Sequence, residues 1–159
     1  RVRGWNGAER SPVADVEWAL AEVRRRHGDV PVVLVGHSMG GRTALAVAGD
    51  LSVVGICALA PWTEAADPYE QLAGKTVLIV HGTADMVTSP RGSRKYAIKA
   101  QRAGATCGYI SIRGEMHAMV YRPRLWHHLA AGFTLGLLGL APMPKKIQGA
   151  LDAGASQPS

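Results

Sequence analysis

The chain has 159 residues, of which 47% are hydrophobic, and its formal net charge is +6 at pH 7. This length and hydrophobic content predict one globular domain with a buried core. The charge permits an anionic partner, but no recognised motif or aromatic-interleaved basic run accompanies it, so we expect no nucleic-acid binding.

Two further composition features bear on where the protein works. The most apolar stretch, residues 129–142, is too short and too rich in glycine to span a bilayer. Cys57 and Cys107 lie far apart in apolar segments, which favours two buried free thiols over a disulfide or a metal site. Free thiols fit a reducing compartment, so we expect a cytoplasmic location.

Helical and apolar segments alternate along the chain after a loop at residues 1–7. The predicted strands are residues 32–35, 53–59, 76–80 and 106–112. The predicted helices begin at residues 11, 39, 89 and 125 and end near residues 28, 49, 104 and 140. This alternation predicts an α/β fold with a parallel sheet of about four strands and helices on both faces. We assign residues 1–141 to this domain and residues 142–159, rich in Pro, Gly and Ser, to a flexible tail.

The first strand runs into Gly36-His37-Ser38-Met39-Gly40, and a helix follows. A serine on a strand-to-helix turn is typical of a nucleophile, because the turn lifts its hydroxyl clear of the sheet. The turn holds the serine in a sparsely allowed conformation. We expect side chains two residues before and after it to collide, which accounts for Gly36 and Gly40.

Asp85 and His117 each follow a later predicted strand, at the sheet edge where open α/β sheets build their sites. A serine hydroxyl is a poor nucleophile and needs a base, which His117 can supply while Asp85 orients its imidazole. Glu64 and Asp67, which follow the second strand, are alternative acids. No spacing of the histidines places zinc ligands together, so we expect no metal and no cofactor.

The other histidines fit the role of base less well. His27 ends a helix, His37 adjoins the nucleophile, and His127 and His128 begin the last helix. His81 is interpreted as a residue that packs the turn after the third strand.

Three motifs together resemble the signatures of the serine α/β-hydrolase family, near its esterase, lipase-like and peptidase-like branches. They are Gly36-His37-Ser38-Met39-Gly40-Gly41, His81-Gly82-Thr83-Ala84-Asp85-Met86-Val87 and Gly114-Glu115-Met116-His117. The resemblance implies that Ser38 is the nucleophile, Asp85 the acid and His117 the base. It also implies that the backbone N–H of Met39 is one oxyanion donor.

Members of this family carry further strands before the nucleophile strand, and a loop among them supplies the other oxyanion N–H. The sequence therefore resembles the C-terminal part of a larger hydrolase, truncated at its N-terminus. We expect the strand at residues 32–35 to present an unpaired edge, which favours self-association or pairing with a partner.

The predicted function is a serine hydrolase that cleaves a small carboxylic ester, or an amide or thioester, through an acyl-enzyme. Acyl transfer to an acceptor other than water is an alternative that the three residues leave open. A non-catalytic remnant of a hydrolase, binding a partner through its strand edge, is the second alternative.

Overall fold

The computed structural model describes residues 11–155, so the predicted loop at residues 1–7 lies outside the described part of the chain. The helices are α1 Ser11–His27, α2 Met39–Ala46, α3 Pro90–Arg102, α4 Pro123–Leu137 and α5 Lys145–Ala155. The strands are β1 Val32–His37, β2 Val53–Leu59, β3 Thr76–Gly82 and β4 Thr106–Ile112. One 3-10 turn, Glu70–Leu72, interrupts the loop between β2 and β3.

The four strands form one parallel sheet in the order β1-β2-β3-β4. β2 and β4 have the predicted bounds, whereas β1 and β3 are each longer than predicted. The parallel ladder extends them, because His37 pairs with Leu59 and Gly82 pairs with Ile112. The predicted α/β fold with a parallel sheet is confirmed.

Helices cover both faces of the sheet, as predicted. On one face, Leu20 of α1, Leu45 of α2 and Tyr96 of α3 pack in a buried cluster with alternate strand residues. On the other face, Trp126 of α4 and Ile147 of α5 pack against the intervening strand residues, whose side chains point to that face. Because side chains alternate along each strand, the two clusters use different residues of the same strands.

The structure differs from the predicted flexible tail over residues 145–155, and residues 156–159 of that tail lie outside the described part of the chain. Within it, α5 packs on β4, and Ile147 and Leu151 are buried on that side. These two residues are four positions apart and therefore share one helix face. A side chain at Gly108 would lie 2.9 Å from the backbone carbon of Ala150, so a glycine in β4 lets the helix approach closely.

The two cysteines are free and buried, as predicted. Burial raises the pKa of each thiol to about 12, so both stay protonated at neutral pH. Across residues 11–155, every helix is too short or too polar to cross a membrane.

Candidate active site

Ser38 lies alone between the end of β1 and the start of α2, with backbone angles φ 54 and ψ −118. Positive φ at a non-glycine residue costs about 1–3 kcal/mol and persists only where neighbouring contacts enforce it. The Ser38 N–H donates to the carbonyl of Leu59 at 3.0 Å, and its carbonyl accepts from the N–H of Trp62 at 3.1 Å. The end of β2 and the loop after it therefore hold the strained turn from both sides.

The two glycines that flank Ser38 differ in their surroundings. A Cβ at Gly36 would collide with the backbone carbonyl of Gly40, as the sequence predicts. A Cβ at Gly40 would meet nothing within 4 Å, so the expected collision at this position is wrong. The second crowded position is Gly41, where a Cβ would lie 3.1 Å from the carbonyl oxygen of Gly36 and from Cβ of Pro61.

Asp85 lies in the loop after β3, and its side chain is fully buried. Its Oδ1 accepts the backbone N–H groups of Val87 at 2.8 Å and Thr88 at 2.9 Å. Burial alone would raise the pKa of Asp85. The hydrogen bonds from Thr88, His117 and Val87 outweigh it and lower the pKa to about 2, so the carboxylate is ionised at neutral pH.

His117 lies in the loop after β4 and joins Asp85 to Ser38. Its Nδ1 is 2.8 Å from Oδ2 of Asp85, and its Nε2 is 2.9 Å from Oγ of Ser38. With the carboxylate ionised, Nδ1–H donates to Asp85 and Nε2 accepts the Ser38 hydroxyl proton. The fold therefore brings together the three residues singled out from the sequence, in a geometry suited to proton transfer from a serine.

Two contacts that hold the His117 loop escaped the sequence analysis. His37 donates from Nε2 to the backbone carbonyl of His117 at 3.0 Å, and the two rings lie 4.7 Å apart. Glu115 is buried and accepts a hydrogen bond from the Trp126 indole at 2.7 Å, which ties the loop to α4. The burial of Glu115 could not be predicted from its residue type, because carboxylates are rarely buried without a specific partner.

The alternative acids, Glu64 and Asp67, pair with Arg42 instead of His117. Arg42 of α2 is buried and pairs with Asp67 at 2.6 Å and with Glu64 at 3.0 Å. The same guanidinium lies 5.0 Å from the ring centre of Trp62. These contacts fasten the loop after β2 to α2, while Asp85 is the acid that contacts His117.

The surface beside Ser38 is open within the described chain. Met39, the first residue of α2, is 40% exposed and borders a cleft of about 350 Å³ between α1, β1 and α2. The first N–H groups of a helix lack intrahelical partners, so the N–H of Met39 is suited to an anionic oxygen at Ser38. Among residues 11–155, no group of three or more His, Cys, Asp and Glu side chains is arranged to hold a metal ion.

Solved structures with the same architecture include Est1E from Butyrivibrio proteoclasticus, with a TM-score of 0.66 at 14% identity over 80% of this chain and 69% of that one. A protein of unknown function from Agrobacterium tumefaciens, ATU1826, has a TM-score of 0.71 at 21% identity over 91% and 68%. An α/β serine hydrolase homologue from Coxiella burnetii has a TM-score of 0.62 at 21% identity over 89% and 63%.

The chain has the α/β-hydrolase fold. A family profile described as alpha/beta hydrolase fold also matches residues 3–72, which include β1, Ser38 and β2. The sequence resemblance to this family is thereby confirmed. A search of the curated proteins finds no match. The chain spans 63–69% of the length of the three solved structures compared above.

Proposed function

We propose that the protein is a serine hydrolase that cleaves a carboxylic ester through an acyl-enzyme. The observation that carries the proposal is the continuous hydrogen-bonded series from Ser38 Oγ through His117 to Asp85, with distances of 2.9 and 2.8 Å. A serine hydroxyl becomes an effective nucleophile when a neutral imidazole accepts its proton during attack.

In the first step, Ser38 Oγ forms a bond to the ester carbonyl carbon while its proton moves to Nε2 of His117. The carbonyl oxygen becomes an oxyanion, for which the N–H of Met39 is the proposed donor. This donor lies at the start of α2, where the helix dipole also favours negative charge.

In the second step, the tetrahedral intermediate collapses and breaks the bond to the alcohol oxygen. His117 returns the proton from Nε2 to that oxygen, which leaves as the alcohol, and the acyl group stays on Ser38. Water then attacks the acyl carbon while His117 accepts its proton, and the same sequence in reverse releases the acid and restores Ser38.

Asp85 supports acylation and deacylation without taking up a proton. Because its pKa is held at about 2, its carboxylate is charged throughout the neutral pH range. It keeps the proton of neutral His117 on Nδ1, and it stabilises the imidazolium that forms when Nε2 is protonated.

A fluorophosphonate probe tests the proposal, because it forms a covalent bond only with an activated serine. We expect rapid labelling of the wild type, and no labelling of Ser38→Ala or His117→Ala. Ser111→Ala is the matched control, because Ser111 is an exposed serine of β4, and it should label at the wild-type rate. Labelling that survives in Ser38→Ala would overturn the proposal, as would a folded wild type that does not label.

A further inference from the structure

A second imidazole contacts the acid of the proposed triad. His81 lies in β3 with no exposed surface, and its Nε2 is 3.1 Å from Oδ2 of Asp85. His117 reaches the same carboxylate oxygen from the other side at 2.8 Å. The proposed reaction uses the proton chemistry of His117 alone and leaves His81 without a role.

The surroundings of His81 determine which of its nitrogens carries hydrogen. Burial lowers the pKa of His81 and outweighs the opposing effect of Asp85, so the ring is neutral at neutral pH. A neutral imidazole has one N–H, and the nitrogen that faces the carboxylate must carry it, because a bare nitrogen would set its lone pair against the carboxylate. Nε2–H therefore donates to Asp85, and Nδ1 accepts from the hydroxyl of Ser93 at 2.9 Å, a shorter distance than the 3.3 Å from that hydroxyl to the carbonyl of Pro61.

The two imidazoles complete the donor set of Asp85. A carboxylate offers about four lone-pair positions on its two oxygens. Two backbone N–H groups occupy Oδ1, and the N–H groups of His81 and His117 occupy Oδ2. The hydroxyl of Thr88 lies 2.9 Å from Oδ2, 3.2 Å from Nε2 of His81 and 3.2 Å from the carbonyl of Ala60. With four N–H donors on the carboxylate, the Ala60 carbonyl is the acceptor for its proton outside this set. With its positions filled, the carboxylate cannot rotate without breaking a buried hydrogen bond.

We propose that His81 is a positioning residue, whose Nε2–H holds Oδ2 of Asp85 at the point where it receives the Nδ1–H of His117. Asp85 selects the tautomer of His81, as it does that of His117, and the hydroxyl of Ser93 donates to the other nitrogen, Nδ1. This role rests on the proposed hydrolase function. The role depends on one directed hydrogen bond, from Nε2–H of His81 to Asp85. A residue that only packs in the core would not need that hydrogen bond.

Substitutions that keep or remove that hydrogen bond test the role. His81→Leu removes the donor, and we expect kcat to fall about 10- to 100-fold with KM nearly unchanged, because a misplaced acid weakens the base and leaves substrate binding alone. His81→Gln places an amide N–H at a similar reach and should restore kcat to within about threefold of the wild type. His128→Leu, on the exposed side of α4, is the matched control and should match the wild type.

A double-mutant cycle separates positioning from packing. In the background of Asp85→Asn, the acid no longer carries the charge that His81 orients, so His81→Leu should change kcat by less than about twofold. An undiminished loss in that background would overturn the proposal and assign His81 to packing. If His81→Leu does not fold, His81→Met fills a similar volume without a donor and is measured in the same cycle.

A measurement on the wild-type protein needs no activity. Nitrogen-15 NMR of the histidine rings distinguishes the two tautomers, and we expect His81 to carry its proton on Nε2 at neutral pH. A proton on Nδ1, or on both nitrogens, would overturn the positioning role. If His81 has the expected tautomer but the fluorophosphonate does not label the wild type, the hydrolase proposal fails instead. If the wild type labels and His81→Leu keeps full kcat, the positioning role alone fails.

Discussion

Asp85 and Ser38, the proposed acid and the proposed nucleophile, lie in contrasting surroundings. The side chains of Asp85 and His81 have no exposed surface, and buried hydrogen bonds fill the positions around the carboxylate. On the side of Ser38, β1 is an edge strand of the described sheet, and Val35 is 49% exposed. The acid side is thus built in the protein interior, whereas the nucleophile side borders the surface of the described chain.

This contrast implies that the two sides would control the proposed reaction by different means. Asp85 acts through charge and hydrogen bonding, whose strength depends on exclusion of water. Ser38 is held by backbone hydrogen bonds to Leu59 and Trp62 and by the absence of a side chain at Gly36. We therefore expect substitution of Asp85 to lower kcat. We expect substitution of the crowded glycine near Ser38 to lower the free energy of unfolding.

The largest expected effect is on the acid side. Asp85→Asn keeps the shape of the side chain but removes its charge and allows the wrong tautomer of His117, so kcat should fall about 10⁴-fold. Glu64→Gln is the control, because Glu64 pairs with Arg42 and is half exposed, and it should retain kcat. Ester hydrolysis measured by steady-state kinetics gives both values. A greater loss in Glu64→Gln than in Asp85→Asn would make Glu64 the acid.

The second prediction compares the free energy of unfolding of two glycine variants near Ser38. Gly36→Ala drives a methyl group into the backbone carbonyl of Gly40, and we expect a loss of about 3 kcal/mol or more in the free energy of unfolding. Gly40→Ala has open space in α2 and should leave stability unchanged or raise it by up to about 1 kcal/mol. Urea unfolding of both variants measures the difference, and equal stabilities would contradict the described turn.

The smallest effect is the pH dependence of stability. The folded-state pKa of His81 and that of His37 are lowered, mainly by burial, so the unfolded chain binds more protons as the pH falls below about 6.5. The stability that these neutral rings contribute is complete above that pH and is lost on acidification. Asp85 adds no change until the pH falls below about 4, the pKa of an unfolded aspartate.

Urea unfolding at about pH 5 and about pH 7.5 checks this prediction. The wild type should lose more stability between these pH values than His81→Gln, which has no titrating group at that position. An equal loss in the two proteins would show that His81 does not titrate in this window.

The sequence predicted the fold and the meeting of Ser38, Asp85 and His117 because the signals involved are local. Apolar runs mark the strands, and the order of a parallel sheet brings their carboxyl ends to one edge. The predicted tail omits α5, although Ile147 and Leu151 share one helix face. The Pro, Gly and Ser residues around that pair favour a loop, whereas burial against β4 stabilises the helix.

The contacts that support the site could not be predicted, because they join distant positions through burial. The His37 ring reaches the carbonyl of a residue 80 positions later, and Arg42 pairs with acids 22 and 25 positions away. The partnership of His81 with Asp85 spans four positions, but it depends on a buried, neutral ring. No sequence pattern states which of several histidines is buried and which nitrogen it presents.

The proposed hydrolase function requires that Ser38 becomes acylated. The protein is mixed with excess p-nitrophenyl acetate, quenched in acid, and digested for peptide mass spectrometry. We predict a burst of one p-nitrophenolate per protein and an acetyl group on the peptide that contains Ser38, with neither in Ser38→Ala. Acetylation at another residue, or a burst that Ser38→Ala retains, would contradict the proposed function.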